Sequence, residues 1–243
     1  MAPPSRRDVL LGTAFVLIGD AASKAGVVRG QLPWRANAGS PPQPITQSGW
    51  LFFTADEAAA VEAIADRIIP PDPNTPGGKD AGCAVYIDRQ LIGSFGTSAD
   101  LYTRAPFVTG TQQQGPQSPD PPAVAYRKSL AALDRYCRAQ EGKPFAELPA
   151  GRQDQLLSGL EAGSVQLEGS DGKAFFGMLL KNMQEGFFAD PIYGGNKDMC
   201  GWKMIGYPGA HYDYRDWIGR HNERYPHAPV SIAGRPDWTP KQA

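Results

Sequence analysis

The stretch of the sequence from Gly186 to Gly209 constrains the fold more than any other. It contains five aromatic residues together with six glycines and two prolines. Glycine and proline at this density are typical of flexible linkers, which are poor in aromatic residues. The aromatic residues therefore indicate a shaped loop that packs against apolar surface, either as a docking surface for a partner or as a cover for the protein's own helices. They are Phe187, Phe188, Tyr193, Trp202 and Tyr207.

Length and composition predict one globular domain. A chain of 243 residues can bury one good-sized core, and 41% hydrophobic with 20% charged residues is ordinary for a soluble protein. The formal net charge of −1 gives no electrostatic argument for binding nucleic acid or an anionic membrane surface. The 23 prolines and 28 glycines predict long irregular connections between the regular elements.

The N-terminus has the features of an export signal. Arg6 and Arg7 precede a short apolar run over residues 9–19, about half the ~20 residues that span a bilayer. Paired arginines before a mild apolar run resemble the twin-arginine signal, whose pathway carries proteins that are already folded. A general secretory signal with two chance arginines is the alternative. We assign residues 1–25 to the signal and residues 26–49 to an extended leader.

Apolar residues recur at helical spacing in five segments of the chain. Thr54 and Glu57 form a capping box that begins the first helix, and the proline pair at 70–71 ends it. No segment alternates with period two for long enough to predict a strand. We expect a mostly α protein: a single helical domain over residues 50–215 with long irregular Pro/Gly-rich loops, then an extended C-terminal tail over 216–243. The other four helices are predicted near 80–92, from 121–122 onward, near 151–161 and near 171–187.

Three cysteines are an odd number, so an oxidising compartment leaves one thiol free or bonded to another chain. Cys83 and Cys137 both lie on the apolar stripes of predicted helices. They form either a buried pair of thiols or a disulfide within the domain. Cys200 is the cysteine least tied to a helix stripe. We favour a disulfide between Cys200 and another chain, with a free thiol as the alternative.

No familiar catalytic or cofactor motif occurs in the sequence. It has no glycine motif for a dinucleotide or a nucleotide phosphate, no covalent haem motif, no paired C-x-x-C and no serine nucleophile elbow. We therefore predict no catalytic, cofactor-binding or metal-binding residue in this chain. The alternative is an exported enzyme or binding protein that uses His211, Asp213 and Asp216 as a metal or acid–base cluster, with Cys200 nearby.

Two segments carry a resemblance to a known family. The first joins the end of the capped helix, ADRIIP at 65–70, to residues 82–91. The second runs QEGFFADPIYGGN over 184–196 and continues through GWK to IGYPG, which ends at Gly209. Together they are similar to the gluconate 2-dehydrogenase subunit 3 family, also called the small or gamma subunit, and the likeness spans roughly residues 50 to 215.

This resemblance implies an accessory subunit of a periplasmic dehydrogenase that reaches the inner membrane only through its complex. In such complexes a large subunit containing FAD oxidises a sugar acid or polyol, and a multihaem cytochrome c subunit passes the electrons to quinone. The small subunit binds the flavoprotein in the cytoplasm and carries the signal that directs the export of both subunits. It therefore needs no cofactor of its own, and the substrate is selected by the flavoprotein subunit.

Overall fold

The structure, a computed structural model, describes residues 49–101, 104–108, 110–114, 118–211 and 214–232. These residues form seven α-helices and no β-strand, so the prediction of a mostly α fold is confirmed. The predicted signal over 1–25 lies outside the described residues, as does the leader up to residue 48. Within the described part, no helix is long and apolar enough to cross a membrane. The helices are α1 (Ala55–Ile68), α2 (Cys83–Leu91), α3 (Ser94–Thr97), α4 (Pro122–Glu141), α5 (Ala150–Ala162), α6 (Gly172–Phe188) and α7 (Cys200–Ile205).

The five helices predicted from periodicity are α1, α2, α4, α5 and α6. The capping box of α1 is present, because Thr54 Oγ1 accepts the Glu57 N–H and Glu57 Oε2 accepts the Thr54 N–H at 2.8 Å. Helices α4 and α5 each end at a glycine with a left-handed backbone, Gly142 and Gly163. Single 3₁₀ turns occupy parts of the connections, at Gln112–Gln114, Phe145–Glu147, Pro191–Tyr193, Lys197–Met199 and Arg215–Trp217.

Helix α6 is the centre of the domain. It contacts α1, α2, α4, α5 and α7, which is why it is apolar over more than one face. Asn182 of α6 donates a hydrogen bond of 2.9 Å to the hydroxyl of Tyr126 on α4, and both side chains are buried. Burial raises the pKa of Tyr126, so its hydroxyl stays protonated. The core residues of α6 are Phe175, Phe176, Leu179, Met183 and Phe187.

Cys83 and Cys137 are both buried and both free. The alternative of a disulfide within the domain is therefore wrong, and the alternative of buried thiols is correct. Burial raises the pKa of Cys83 to about 12 and that of Cys137 to about 11. Both groups remain thiols at neutral pH and pack as small apolar residues.

The segment that leads into α1 is held by one buried carboxylate. Asp88 of α2 is fully buried and accepts the backbone N–H groups of Leu51, Phe52 and Phe53, each at 2.9 Å. Arg89 pairs with the same carboxylate and donates to the Gly49 carbonyl at 2.9 Å. The segment immediately before α1 is thus fixed by a charge network.

Candidate docking surface

The segment from Gly186 to Gly209 folds back over the C-terminal end of α6. A Cβ atom on Gly195 would lie 2.1 Å from the carbonyl oxygen of Gly186, and one on Gly201 would lie 2.2 Å from that of Phe187. Two backbones that approach this closely leave no room for a side chain. The glycines of this stretch therefore allow an irregular segment to lie directly on a helix.

Asn196 holds the middle of this segment in place. It is fully buried and adopts a left-handed backbone with φ 45°, which asparagine tolerates better than most residues. Its Nδ2 donates to the Ala189 carbonyl at 2.8 Å, and its Oδ1 accepts the Gly201 N–H at 2.8 Å. The next N–H, that of Lys197, donates to the Ala81 carbonyl at 3.0 Å. The segment is therefore joined both to itself and to the turn before α2.

The five aromatic residues singled out from the sequence divide into two groups. Phe187 and Trp202 are 2% and 6% exposed, so they pack inside the monomer. Trp202 donates its indole N–H to the Phe188 carbonyl at 2.8 Å. Phe188, Tyr193 and Tyr207 are 40%, 47% and 47% exposed. Only these three present substantial surface to another protein, whereas the other two support them from within.

Two exposed apolar residues were missed by the sequence reasoning. Met204 and Ile205, at the end of α7, are 50% and 58% exposed. A six-residue helix is too short to show an apolar period, and neither side chain is aromatic. Gly206 has a left-handed backbone and ends this helix. A glycine at that position was the signal in the sequence that could have predicted a short helix here. We define the docking surface as Phe188, Tyr193, Met204, Ile205 and Tyr207.

Trp202 supports two members of the docking surface, Phe188 and Tyr207. The Trp202 ring lies edge-on to Tyr207, with the ring centroids 5.2 Å apart, and its N–H is bonded to the backbone of Phe188. Exposed large apolar side chains that stand together are typical of protein–protein contact sites. A surface held from below by a buried tryptophan changes little on binding, which lowers the entropic cost of association.

Cys200 is the first residue of α7 and is partly exposed. Its thiol is free and lies 3.8 Å from Asn196 Oδ1. Burial raises the pKa of the thiol. Hydrogen bonds from the backbone of Gly201 and Cys200 oppose that shift in part, and the positive charge of Lys203 opposes it less. Cys200 lines an open cleft of about 780 Å³ together with Lys197, Lys203 and Asp80. Of the three cysteines, Cys200 is the one that is not buried.

The alternative metal or acid–base cluster receives no support from the described residues. Asp213 lies outside them. His211 directs Nε2 toward the Ala228 carbonyl at 3.2 Å and packs against Tyr225, with the ring centroids 5.2 Å apart. Asp216 is exposed, and no group of three or more His, Cys, Asp or Glu in the described part of the chain could hold a metal ion.

After Gly209 the chain forms a loop that returns to the docking segment. The Ala210 N–H donates to the Val230 carbonyl at 2.6 Å, and the Val230 N–H donates to the Pro208 carbonyl at 3.2 Å. Asp190, which is buried, accepts the Ser231 hydroxyl at 2.6 Å and the Ile232 N–H at 2.7 Å. Residues 210–230, which we call the C-terminal loop, are thereby closed at their base.

Comparison with known proteins gives one result. The family model of gluconate 2-dehydrogenase subunit 3 matches residues 55–209, from the first residue of α1 to just beyond the docking surface. This is more than half of the chain, and it leaves the C-terminal loop outside the match. No curated protein and no solved structure matches the chain.

Proposed function

Because the chain belongs to the gluconate 2-dehydrogenase subunit 3 family, we propose that it is the non-catalytic small subunit of a periplasmic FAD-dependent dehydrogenase. The family is that of a subunit of a dehydrogenase complex. In our proposal the docking surface binds the flavoprotein subunit, and a multihaem cytochrome c subunit completes the complex. FAD and haem c belong to these partners, and the complex oxidises a sugar acid or polyol.

The observation that carries this proposal is the docking surface itself. Five exposed apolar side chains lie within residues 188–207, where Asn196 and the close glycine contacts hold the backbone between α6 and α7. The segment lies within the region that matches the family. The buried polar groups around it, Asp190 and Asn196, use their hydrogen bonds to hold backbone rather than to line a cavity. This construction suits a surface that binds protein.

We further propose that the small subunit escorts the flavoprotein through the twin-arginine pathway into the periplasm, where the complex associates with the inner membrane. The sequence basis is the pair Arg6 and Arg7 before a short, mild apolar run. A folded flavoprotein with its FAD in place cannot pass a channel for unfolded chains. A partner that carries a signal for folded cargo solves this problem.

Co-expression with the flavoprotein subunit tests both parts of the proposal. We expect the two chains to co-purify and the flavoprotein to accumulate in the periplasm. Replacing Arg6 and Arg7 by lysine should reduce that periplasmic fraction several-fold, whereas Arg29→Lys with Arg35→Lys, a matched pair further along the leader, should leave it unchanged. Fractionation and immunoblotting measure the result.

If the variant with Arg6 and Arg7 replaced gives the same periplasmic yield of flavoprotein as the variant with Arg29 and Arg35 replaced, the export role is wrong. The isolated mature chain should also be assayed for bound metal or flavin and for dye-linked dehydrogenase activity. Activity there would favour the alternative that places the chemistry at His211, Asp213 and Asp216.

We also propose that Cys200 forms a disulfide with the flavoprotein subunit. Non-reducing gel electrophoresis of the native complex should show a covalent heterodimer that is lost in Cys200→Ser and kept in Cys137→Ala. The thiolate is the reactive form, and burial raises the pKa of Cys200. Forming a disulfide removes two electrons and two protons from the two thiols, so an oxidant such as oxidised glutathione must be added to the purified subunits. With it present, the bond should form faster as pH increases from neutral toward the raised pKa. Unchanged gel mobility of the Cys200→Ser complex would rule the disulfide out.

A further inference from the structure

A second concave surface lies between α7 and the C-terminal loop. This cleft has a volume of about 590 Å³. Lys203 and Tyr207 line one side, and Arg224, Tyr225 and His227 line the other. Prolines from both segments complete the walls. Among the described residues that line the cleft there are two permanent cations and a histidine but no carboxylate.

The two cations of the cleft form no ion pair within the described part of the chain, although Lys203 also borders the neighbouring cleft that Asp72, Asp80 and Asp198 line. Neither Lys203 nor Arg224 forms an ion pair there, whereas the neighbouring Arg220 lies 3.9 Å from Glu223 and stacks over the Trp217 ring. Surface cations without partners raise the local positive potential and attract negatively charged groups. The cleft therefore selects for a ligand that carries carboxylates.

The walls of the cleft are fixed before any ligand binds. The hydrogen bonds of Val230 to Pro208 and Ala210 close the base of the C-terminal loop, and Asp190 holds the residues that follow. The Tyr225 ring packs against His227 and Trp217, with centroid distances of 5.2 Å and 5.3 Å. A cleft walled by tyrosine rings and prolines suits an extended peptide, because flat apolar walls pack well against extended backbone and its side chains.

We infer that this cleft receives an acidic, extended segment of the flavoprotein subunit, whose carboxylates pair with Lys203 and Arg224 while its backbone packs between Tyr207 and Tyr225. The partner is assigned by continuity, because Tyr207 belongs to both the docking surface and the cleft. The inference thus rests on the proposed function. It adds a charged binding site, the cleft, to the apolar docking surface. Apolar contacts would supply most of the affinity, and the cleft would supply orientation and speed of association.

The test uses the mature chain and the purified flavoprotein subunit, with binding measured by calorimetry at low and at high salt. Lys203→Glu with Arg224→Glu should raise the dissociation constant about tenfold or more at low salt and remove most of its salt dependence. Lys143→Glu with Lys173→Glu is the matched control, because both lysines are exposed and without an ion pair among the described residues. This control variant changes the net charge by the same amount as the Lys203→Glu, Arg224→Glu variant, and it should bind the flavoprotein like the wild type.

Zero-length carbodiimide cross-linking of the wild-type complex gives a second readout that needs no variant to fold. The reagent joins an amine to a carboxylate in contact with it. We expect Lys203 to be linked to an Asp or Glu of the flavoprotein and Lys143 to remain unlinked, as read by peptide mass spectrometry.

The outcomes separate the two proposals. If the wild-type chain binds the flavoprotein, but the reversed pair binds as tightly and Lys203 forms no cross-link, the cleft inference is wrong and the proposed function stands. If the wild-type chain does not bind the flavoprotein at all, the proposed function fails and the cleft inference fails with it.

Discussion

Replacing Asp88 by alanine is expected to lower the free energy of unfolding by about 3–5 kcal/mol, the usual cost of removing one partner from a buried ion pair. Asp88 is fully buried and accepts three backbone N–H groups in addition to its pairing with Arg89. Alanine would leave those donors without acceptors. The Arg89 side chain, only 8% exposed, would lose the carboxylate that compensates its charge.

Asp134 provides the matched control for this prediction. Its carboxylate pairs with Arg138 one helical turn away, and both side chains are about half exposed. Asp134→Ala should change the stability by no more than about 0.5 kcal/mol. Urea denaturation followed by circular dichroism measures both variants. Hydrogen exchange should also show faster exchange at Leu51, Phe52 and Phe53 in the Asp88 variant. Equal stabilities of the two variants would contradict the assigned role of Asp88.

This network also shows where prediction from the sequence stops. The helices could be predicted because their signals are local: the capping box of Thr54 and Glu57 acts over three residues, and apolar stripes repeat within a few turns. Asp88 acts on residues 35 to 37 positions earlier in the chain. On α2 it is one carboxylate among ordinary helical residues, and nothing in its immediate surroundings marks it as buried.

The same limit applies to the docking surface. The composition of the segment from Gly186 to Gly209 indicated a shaped loop, and the structure places one there. Without a period, however, the sequence could not separate the inward Phe187 and Trp202 from the outward Tyr193 and Tyr207. Their directions depend on close approach of the segment to the end of α6 and on the left-handed backbone of Asn196. Both are tertiary features.

The return of the C-terminal residues to the docking segment is the third feature that the sequence did not predict. The C-terminal tail was expected to be extended, and its course could not be derived from a charged, proline-containing composition. Asp190 determines part of that course by binding Ser231 and Ile232, 41 and 42 residues later. The prediction for the cysteines has a related limit. The apolar stripes of the helices predicted correctly that Cys83 and Cys137 are buried, but spacing along the chain does not give the distance between their sulfurs.

Replacing Ile205 by aspartate is expected to weaken binding to the flavoprotein subunit about a hundredfold, equivalent to ~2.7 kcal/mol. Ile205 is 58% exposed and is the last residue of α7, next to the exposed Met204 in the sequence. In a complex its side chain would be desolvated against apolar surface, so a carboxylate there would be buried without a partner. Adding Met204→Asp should abolish co-purification.

Ile92→Asp is the control for this result. Ile92 is 49% exposed and lies at the C-terminal end of α2, outside both the docking surface and the cleft. Both substitutions place the same charge on an exposed apolar position, so neither should alter the thermal unfolding temperature appreciably. Titration of each purified chain with the flavoprotein then isolates the effect of position. If Ile205→Asp and Ile92→Asp bind equally well, the docking surface is not the interface. If only Ile205→Asp loses affinity, the rigid segment that overlies α6 forms the contact with the partner.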